Sequence, residues 1–445
     1  MTVMATGKAF AVVFKEIEPW CVQALWLERV NRSQWPTVAL REVVAVRFEV
    51  VPHEEIVAGK TLLLERVAFD EGKIYFGERS ETQMTQYRVK PGDIVVSKIN
   101  ARKRAIGFLP TGTDVGVTIH FRSLIPNTAR VVPAFLWMAL RSEFCRRQFE
   151  IETGGIGKGE ISEDRLLSIK IPLPAPAVQR KIVEYWQEAQ HRVDAARDVV
   201  SEQVRSLNSR LLDIYRSKCK RDVIHSRFFV LEFKDFTAWD AKSGRAASFR
   251  LACPSLRPMG DFIVEATEMV RPPAEPDKDW PVYGVNNKDG VFFNSHQKGA
   301  TFNASYKRIR KDWFFHNPTR CNVGSLGIVP DVPEDAITSP EYQVWRLKAD
   351  IPEPMLPGYV ACLIQTPFFL ELVQFNRVGA VKQRMYTENL MQVRIPYLPV
   401  PEQQRYADAR KRALVALVTA KARLDTAREE VEAMILGTKK VTGSA

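Results

Sequence analysis

The sequence lacks the cysteine and histidine spacings that build metal sites. Its six cysteines never form a Cys-x-x-Cys pair, and none of its six histidines completes a ligand motif. We therefore expect no metal site, and six buried or incidental thiols in a reducing cytosol. The cysteines are Cys21, Cys145, Cys219, Cys253, Cys321 and Cys362.

Long apolar runs are missing too. No stretch approaches the roughly 20 apolar residues that a membrane-spanning helix requires. Residues 1–14 are mildly apolar, but no small-residue cleavage site follows a clear apolar core. The sequence accordingly predicts a soluble, cytoplasmic protein.

Motifs for methyl transfer and nucleotide hydrolysis are also absent. An enzyme that methylates a flipped adenine needs an acidic or amide residue before Pro-Pro-aromatic, and residues 317–320 lack the second proline and the aromatic residue. The Gly157-Lys158 pair fails the P-loop pattern, because Glu152 stands at its first position and Gly159 at its last. The carboxylates of residues 275–279 have proline neighbours, which favour a solvated loop. We identify no catalytic residue and predict that the chain is not an enzyme.

What the sequence does contain is an excess of positive charge. Its 445 residues include 64 Lys and Arg against 52 Asp and Glu, a formal net charge of +12. This length allows two or three cores at roughly 100–200 residues per domain. The basic excess favours a polyanionic partner, since neutralising phosphates releases counterions, although many basic proteins never bind nucleic acid.

A long-range repeat is the most informative feature. Matching segments recur in the same order at a spacing of about 220 residues, which indicates a tandem duplication. The matches are residues 10–20 with 229–239, Trp35-Pro36 with Cys253-Pro254, 42–44 with 261–263, 71–75 with 289–293, Tyr87 and Asp93 with Tyr306 and Asp312, 133–135 with 357–359, 142–144 with 366–368, Gly155 and Lys158 with Gly379 and Lys382, Leu166, Ile171 and Pro172 with Leu390, Ile395 and Pro396, 173–176 with 398–401, and Gln179-Arg180 with Gln404-Arg405.

Each copy ends in a proline-rich stretch followed by a long segment without glycine or proline. In residues 177–218 and 402–436, apolar residues recur at steps of three and four, which is a heptad seam. We predict two long helices whose seams pair in antiparallel orientation. The alternative is that each helix packs on its own domain.

The body of each copy is predicted to mix helix and strand. Strand-like runs are residues 94–97, 117–121, 291–293 and 342–347, and amphipathic helix candidates are 135–150 and 359–375. We expect a mixed α/β (α+β) fold with similar domains at 1–176 and 222–401, separated by helices in 177–221 and 402–445, in pseudo-two-fold symmetry. Duplex DNA has local two-fold axes, so this arrangement suits two different half-sites around an unread spacer.

A motif at the end of each copy resembles a known family. Residues 153–174, TGGIGKGEISEDRLLSIKIPLP, precede Gln179-Arg180, and residues 398–405 repeat this ending with Glu402-Gln403. Together with residues 92–97, they resemble target recognition domains in the specificity (S) subunits of type I restriction-modification systems. There a Gly-rich turn and Ile-Pro-Leu-Pro lead into a spacer helix that opens near Glu-Gln. Val178-Gln179, residues 311–316 and residues 379–383 depart from that pattern.

The resemblance covers nearly the whole chain and implies a function. It implies a non-catalytic DNA specificity subunit that recognises an asymmetric bipartite target, in a system of defence against foreign DNA. Two adenine methyltransferase (M) subunits, which carry S-adenosylmethionine, would bind it, and restriction (R) motor-nuclease subunits can join the complex. The chain itself would need no cofactor. The alternatives are a fused restriction–methylation enzyme with an unrecognised catalytic site, or a basic RNA-binding scaffold.

Basic loops that also carry amides are the candidates for DNA contact. Arg matches guanine O6 and N7, and Asn matches adenine N6 and N7. A solvated loop or contact with phosphates alone is the alternative, and the glycines of residues 154–159 form a tight turn or approach a phosphate. The DNA candidates are Lys98, Asn100, Arg102, Lys103, Arg104 and Lys158 in the first copy, and Lys307, Arg308, Arg310, Lys311, His316, Asn317, Arg320, Lys382 and Arg384 in the second.

Residues 286–290 are predicted to form a hairpin turn first and a DNA contact second. The apolar seams of the helices are the candidate surface for the M subunits. The partner-binding candidates are Ile182, Trp186, Val193, Leu207, Leu211, Leu424 and Val431.

Overall fold

The computed structural model describes residues 31–77, 82–152, 159–220, 230–235, 241–377, 379 and 382–441. The chain divides into two compact units. Unit 1 comprises Met1–Arg192 and Lys421–Ala445, and unit 2 comprises Val193–Ala420. The predicted match of residues 10–20 with 229–239 lies largely outside the described residues, and the domain boundaries drawn from the sequence stay a prediction.

Two of the helices are far longer than the rest. Pro176–Lys218 has 43 residues and Val400–Leu436 has 37, which confirms the two helices predicted from the heptad seams. The helices are α1 His53–Val57, α2 Pro133–Arg141, α3 Glu143–Glu152, α4 Glu163–Ser168, α5 Pro176–Lys218, α6 Ala241–Ala252, α7 Pro357–Leu363, α8 Pro367–Asn376, α9 Thr387–Gln392 and α10 Val400–Leu436.

The strands of unit 1 form three sheets. The strands are β1 Thr37–Ala39, β2 Val44–Arg47, β3 Leu62–Val67, β4 Ile74–Phe76, β5 Tyr87–Val89, β6 Ile94–Ser97, β7 Ile106–Phe108, β8 Val115–Val117, β9 Phe121–Pro126 and β10 Lys170–Pro172. Their orders are β1-β10, β2-β9-β6-β7 and β4-β3-β8-β5. All pairs are antiparallel except β3 with β8.

The strands of unit 2 repeat this topology. The strands are β11 Arg257–Pro258, β12 Ile263–Glu265, β13 Met269–Val270, β14 Asp279–Asn286, β15 Gly290–Lys298, β16 Tyr306–Arg308, β17 Phe314–His316, β18 Leu326–Ile328, β19 Ile337–Thr338, β20 Gln343–Leu347 and β21 Arg394–Ile395. The orders β11-β21, β12-β20-β17-β18 and β13-β16-β19-β14-β15 correspond strand by strand to unit 1, with β13 added at one edge. Here too a single pair, β14 with β19, is parallel. The shared topology confirms the fold class and the duplication.

Each amphipathic segment predicted as one helix is broken into two. Ser142 separates α2 from α3, and its Oγ accepts a hydrogen bond from the backbone N of Cys145 at 3.3 Å. Thr366 precedes α8 in the same way, accepting from Phe369 N at 3.2 Å. A side-chain oxygen that satisfies the first free N–H groups starts a new helix, which apolar periodicity does not reveal. The single predicted strand at 117–121 is also wrong, because a turn from Thr118 to Phe121 separates β8 from β9.

The long helices contribute to the cores of both units. In unit 1, Ile182 and Val183 at the start of α5 share a core with Val431, Met434 and Ile435 at the end of α10. In unit 2, the end of α5 enters the core through Leu207, Leu211, Ile214 and Tyr215, and Tyr406 near the start of α10 packs against that core. In the core of each unit, the start of one long helix thus lies with the end of the other.

Equivalent positions of the two long helices cap equivalent short helices. In unit 1, the Glu432 carboxylate of α10 accepts hydrogen bonds from the backbone N of Glu143 at 2.8 Å and of Phe144 at 3.4 Å, at the start of α3. In unit 2, Asn208 Oδ1 of α5 accepts from Phe368 N at 2.9 Å, at the start of α8. Each cap satisfies backbone donors that a helix start leaves free.

A buried glutamine fixes the start of each long helix. Gln179 Oε1 accepts a hydrogen bond from Val132 N at 2.7 Å, and its Nε2 donates to the carbonyls of Arg130 and Pro174. Gln403 repeats all three contacts, with Leu356 N, Pro354 O and Leu398 O. Neither glutamine is exposed to solvent. We call each set a glutamine bridge.

The bridges correct the predicted alignment of the two copies. Gln179 corresponds to Gln403, not to Gln404, and Pro174 corresponds to Leu398. Hydrogen bonds likewise align Gly92 with Asp312, since their N–H groups donate to Leu109 O and Val329 O respectively, so Asp93 does not match Asp312.

The expectation of six free thiols is wrong for two cysteines of unit 2. Cys219 and Cys253 form a disulfide bond across 34 residues of sequence. Cys145, Cys321 and Cys362 are buried free thiols, and Cys21 lies outside the described residues.

Within the described residues, no single helix is long and apolar enough to span a membrane. Helices α7 and α8 are long and apolar enough only when taken together, and a bend of 77° separates them. Their apolar side chains pack in the core of unit 2.

Replacing Gln179 with Ala leaves one backbone N–H and two carbonyls without partners inside unit 1. Each unsatisfied buried polar group costs about 1–3 kcal/mol, so we expect the free energy of unfolding to fall by about 2–4 kcal/mol. Gln403→Ala has the same effect on unit 2. The control is Gln404→Ala, whose exposed side chain has Asp408 as its one hydrogen-bond partner among the described residues. Urea denaturation in which Gln404→Ala destabilises as much as Gln179→Ala would contradict the assignment.

Candidate nucleic-acid interface

A 3₁₀ turn after the central strand is the shared feature of the two candidate loops. In unit 1 the turn Ala101–Lys103 follows β6 and ends at Arg104 with φ of 64°. In unit 2 the turn Cys321–Val323 follows β17 and ends at Gly324 with φ of 89°. Left-handed backbone suits glycine, and Arg104 is one of two described non-glycine residues that adopt it.

The backbone hydrogen bonds of the two loops match one by one. Ala105 N donates to Asn100 O at 3.2 Å, and Ser325 N donates to Arg320 O at 3.1 Å. Ser97 N donates to Ala105 O at 3.0 Å, and Asn317 N donates to Ser325 O at 2.9 Å. The loops therefore hold different side chains on one backbone geometry.

A β-hairpin turn lies beside each 3₁₀ turn. In unit 1, the guanidinium of Arg141 donates to the carbonyls of Phe69 and Asp70 in the hairpin and of Arg104 and Ile106 in the loop. Burial lowers the pKa of Arg141 to about 10. This cation has backbone carbonyls of both segments as partners, so it fixes the hairpin against the loop.

In unit 2 the residues 286–290 form the predicted hairpin turn, and a Cβ added at Gly324 would lie 3.5 Å from the Cβ of Asn287. Arg377 ties the loop to a different segment, donating to Thr319 O at 3.1 Å and Gln383 O at 2.8 Å. We call the side of each unit that carries the 3₁₀ turn and the hairpin turn its loop end.

Several predicted DNA contacts at the loop ends have no carboxylate within ion-pair distance among the described residues. Lys103, Arg320 and Lys382 are exposed, and Arg102 is half-exposed. Lys103 Nζ lies 5.6 Å from the ring centre of Phe69. Asn100 is half-buried, and Arg384 donates to the Tyr386 hydroxyl at 3.3 Å. Asn317 Oδ1 accepts from Thr319 N and Oγ1, which stabilises the turn. Lys158 lies outside the described residues.

Other candidates at the loop end and nearby are occupied within the chain. Lys98 is nearly buried and forms an ion pair with Glu160 at 3.1 Å. Arg104 pairs with Glu143 at 3.1 Å. Lys307 Nζ donates to Tyr342 O at 2.8 Å, and burial lowers its pKa. These contacts leave their charges less available to phosphate.

The opposite ends of β6 and β17 carry compensated charge in both units. Glu49 pairs with Arg88 at 2.7 Å and with Lys90 at 3.1 Å in unit 1. Glu268 pairs with Arg308 at 3.6 Å and with Arg310 at 2.9 Å in unit 2. Lys311, which lies beside Arg310, is exposed. The structure therefore separates the predicted residues Arg308, Arg310 and Lys311 from the loop end, which holds the remaining unit 2 cations.

His316 is not a DNA contact, which corrects the prediction. The side chain is fully buried, its Nε2 donates to Met385 O at 2.8 Å, and its Nδ1 accepts from Trp345 Nε1 at 3.2 Å. Burial lowers its pKa to about 4, so it stays neutral. It is the last residue of the central strand β17, and all three residues of that strand are buried.

Five of the seven predicted partner-binding residues are also interior. Ile182, Val193, Leu207, Leu211 and Val431 are each at most 6% exposed. Packed side chains offer no surface to a second protein, so these five are wrong as partner contacts. Trp186 and Leu424 are partly exposed.

The structure adds residues that the sequence reasoning missed. A cleft of about 390 Å³ in unit 1 is lined by Arg66, Phe69, Asn100 and Phe121, with Glu65 among the remaining wall residues. Phe69 is 47% exposed, and Arg66 stacks 4.1 Å from the ring centre of Tyr75. The available signal was an aromatic residue, Phe69, in a charged turn between two strand-like runs. Among the described residues, no group of His, Cys, Asp and Glu could hold a metal ion.

Comparison with known proteins finds similarity among solved structures. The HsdS subunit from Thermoanaerobacter tengcongensis is 14% identical with a TM-score of 0.31, over 90% of this chain and 95% of that chain. The S subunit of a type I restriction-modification system from M. genitalium is 14% identical with a TM-score of 0.43, over 91% and 96%. A chain from a study of complex assembly in the type I R-M system is 14% identical with a TM-score of 0.39, over 90% and 96%.

These likenesses are remote and carry no functional argument alone. No family model matches the chain, and no curated protein matches it.

We expect the loop end of unit 2 to bind duplex DNA and its opposite end not to. Lys382→Ala removes one phosphate contact, which weakens binding and makes the slope of log K against log salt shallower by about 0.9. Lys311→Ala is the matched control, an exposed lysine beyond the other end of β17. Fluorescence anisotropy over a salt series measures both. A larger change for Lys311→Ala than for Lys382→Ala would contradict this assignment and place the DNA interface at the opposite end of β17.

Proposed function

We propose that this chain is a DNA specificity subunit that recognises an asymmetric, bipartite duplex target and performs no chemistry itself. The observation that carries the proposal is the repeated loop end. Two units of one topology present the same 3₁₀ turn and hairpin turn, with different side chains. A reader built twice with different side chains recognises two different half-sites.

The charge distribution supports a nucleic acid target. Among the described residues, three cations at the loop ends have no carboxylate partner, whereas at the opposite ends Glu49 and Glu268 pair with four cations and leave Lys311 exposed. Phosphates attract cations that lack a partner within the protein, and amides and guanidinium groups among them match base edges. Duplex DNA is favoured over RNA because two units of one backbone geometry suit two half-sites related by the local two-fold axes of a DNA duplex.

Methyl transfer is assigned to partner subunits. The sequence contains none of the motifs for adenine methylation, and the family that it resembles uses two M subunits that carry S-adenosylmethionine. R subunits would join that complex to cleave unmodified DNA. The chain would bind no cofactor of its own.

The long helices offer a surface for the M subunits. Val415 and Val418 of α10 are 60% and 66% exposed, and Val199 of α5 is 49% exposed. Isolated surface valines need no explanation, but two at a spacing of three residues lie on one helix face. We assign this face, and not the buried seams, to partner docking.

The proposal predicts that methylated adenines in host DNA depend on this chain. Single-molecule sequencing with and without the gene should reveal one bipartite motif that disappears in its absence. Exchanging residues ~1–170 for those of a relative should change only one half of that motif, because each unit contains its own loop end.

If the exchange changed both halves of the motif, or neither half, it would contradict the modular arrangement. If the methylated motifs were the same with and without the gene, the proposed function itself would be overturned. Competition with duplex and single-stranded RNA separates the alternative: an RNA-binding scaffold would release duplex DNA to RNA at equal concentration.

Partner docking predicts that Val418→Asp weakens copurification of the methyltransferase subunit at least 10-fold, since a buried carboxylate lacks a compensating charge. Duplex binding by the isolated chain should be unchanged. Val230→Asp is the control, because Val230 is 85% exposed and belongs to neither long helix. Equal loss of the partner in both variants would remove the assignment of this face.

A further inference from the structure

Asn100 and Arg320 occupy one structural position in the two units. Each residue precedes the 3₁₀ turn, with φ and ψ of −116° and 16° at Asn100 and −123° and 14° at Arg320. Each carbonyl accepts hydrogen bonds from the residues three and five positions later. Their Cβ atoms therefore leave the same backbone in the same direction.

The side chains of Asn100 and Arg320 form no hydrogen bond or ion pair within the described part of the chain. Among the described residues, the amide of Asn100 has no hydrogen-bond partner and the guanidinium of Arg320 has no carboxylate partner. The neighbours differ in this respect, since Arg104 pairs with Glu143 and Lys98 pairs with Glu160. A polar group kept free at the same point of both loops is available to a ligand.

We propose that this position determines specificity, with Asn100 recognising an A·T pair in one half-site and Arg320 recognising a G·C pair in the other. The inference rests on the proposed function and deepens it. An Asn amide offers one donor and one acceptor that match adenine N7 and N6, and a guanidinium offers two donors that match guanine O6 and N7.

The surroundings of Asn100 favour an A·T pair. Asn100 and Phe69 line the same cleft in unit 1, and Phe69 is 47% exposed. Thymine carries a methyl group on the major-groove edge, and a phenyl ring is an apolar partner for it. Amide and ring together match both bases of one pair.

Arg141 is a positioning residue for this cleft. Its guanidinium donates hydrogen bonds to the carbonyls of Phe69 and of Arg104, one in each segment that walls the cleft. Its guanidinium lies 5.4 Å from the ring centre of Trp137, whose Nε1 donates to Ile106 O at 2.9 Å. The width of the cleft therefore depends on Arg141.

Selection from a random duplex library by the purified full-length chain tests the assignment. The wild-type chain should enrich an A·T pair at one position of the first half-site and a G·C pair at one position of the second. Asn100→Arg should convert the first to G·C, and Arg320→Asn should convert the second to A·T. Each conversion should leave the other half-site unchanged, with a preference on the order of 10-fold.

Conservative variants serve as controls. Asn100→Gln and Arg320→Lys should keep the original bases, because these side chains make the same contacts. Arg141→Lys should broaden the preference at the Asn100 position alone, whereas a merely structural role would lower binding to all sequences equally. If Asn100→Arg fails to fold by circular dichroism, Asn100→Ala decides, and it should abolish the preference at that single position.

The outcomes separate this inference from the proposed function. A wild-type chain that enriches no bipartite sequence overturns the function and the inference with it. A wild-type motif that Asn100→Arg and Arg320→Asn leave unchanged overturns the inference and retains the function.

Discussion

The structure depends on the packing of each long helix into two cores. The end of α10 supplies Val431, Met434 and Ile435 to unit 1, and the end of α5 supplies Leu207, Leu211 and Ile214 to unit 2. Neither half of the duplicated sequence contains all of its own core. Sliding a helix by one turn, about 5.4 Å, would remove the cap that Glu432 or Asn208 provides, so the register of each helix is fixed.

Fixed helices in turn fix the loop ends. Each glutamine bridge joins the start of a long helix to the segment that precedes α2 or α7, within the unit that carries the corresponding 3₁₀ turn. Arg141 and Arg377 then hold the loops by donating hydrogen bonds to their backbone carbonyls and to those of neighbouring segments. Glu49 and Glu268 pair with cations at the opposite ends of β6 and β17, whereas Lys103, Arg320 and Lys382 at the loop ends have no carboxylate partner among the described residues. Geometry and charge thus select one side of each unit for a polyanion.

Sequence periodicity predicted the parts of this structure that repeat locally. The heptad seams predicted both long helices to within two residues, since apolar residues at steps of three and four lie along one face of a helix. Contacts between residues far apart in sequence could not be predicted from periodicity. The spacing of the cysteines does not indicate that Cys219 pairs with Cys253. Nor does the sequence show that His316 lies between Met385 and Trp345. Glutamine alignment was off by one residue, because sequence cannot distinguish Gln403 from Gln404 until their partners are known.

The two units hold their 3₁₀ turns in the same backbone geometry but with different side chains, which explains how their specificities can diverge. The matched hydrogen bonds of the 3₁₀ turns involve backbone atoms, so side chains at Asn100 and Arg320 can change without altering the loop. The ties that hold the loops come from unrelated positions, Arg141 at the end of α2 and Arg377 after α8. Because each tie acts inside its own unit, a substitution there leaves the contacts of the other loop intact. A duplicated reader with independent ties can therefore acquire a new half-site while it keeps the old one.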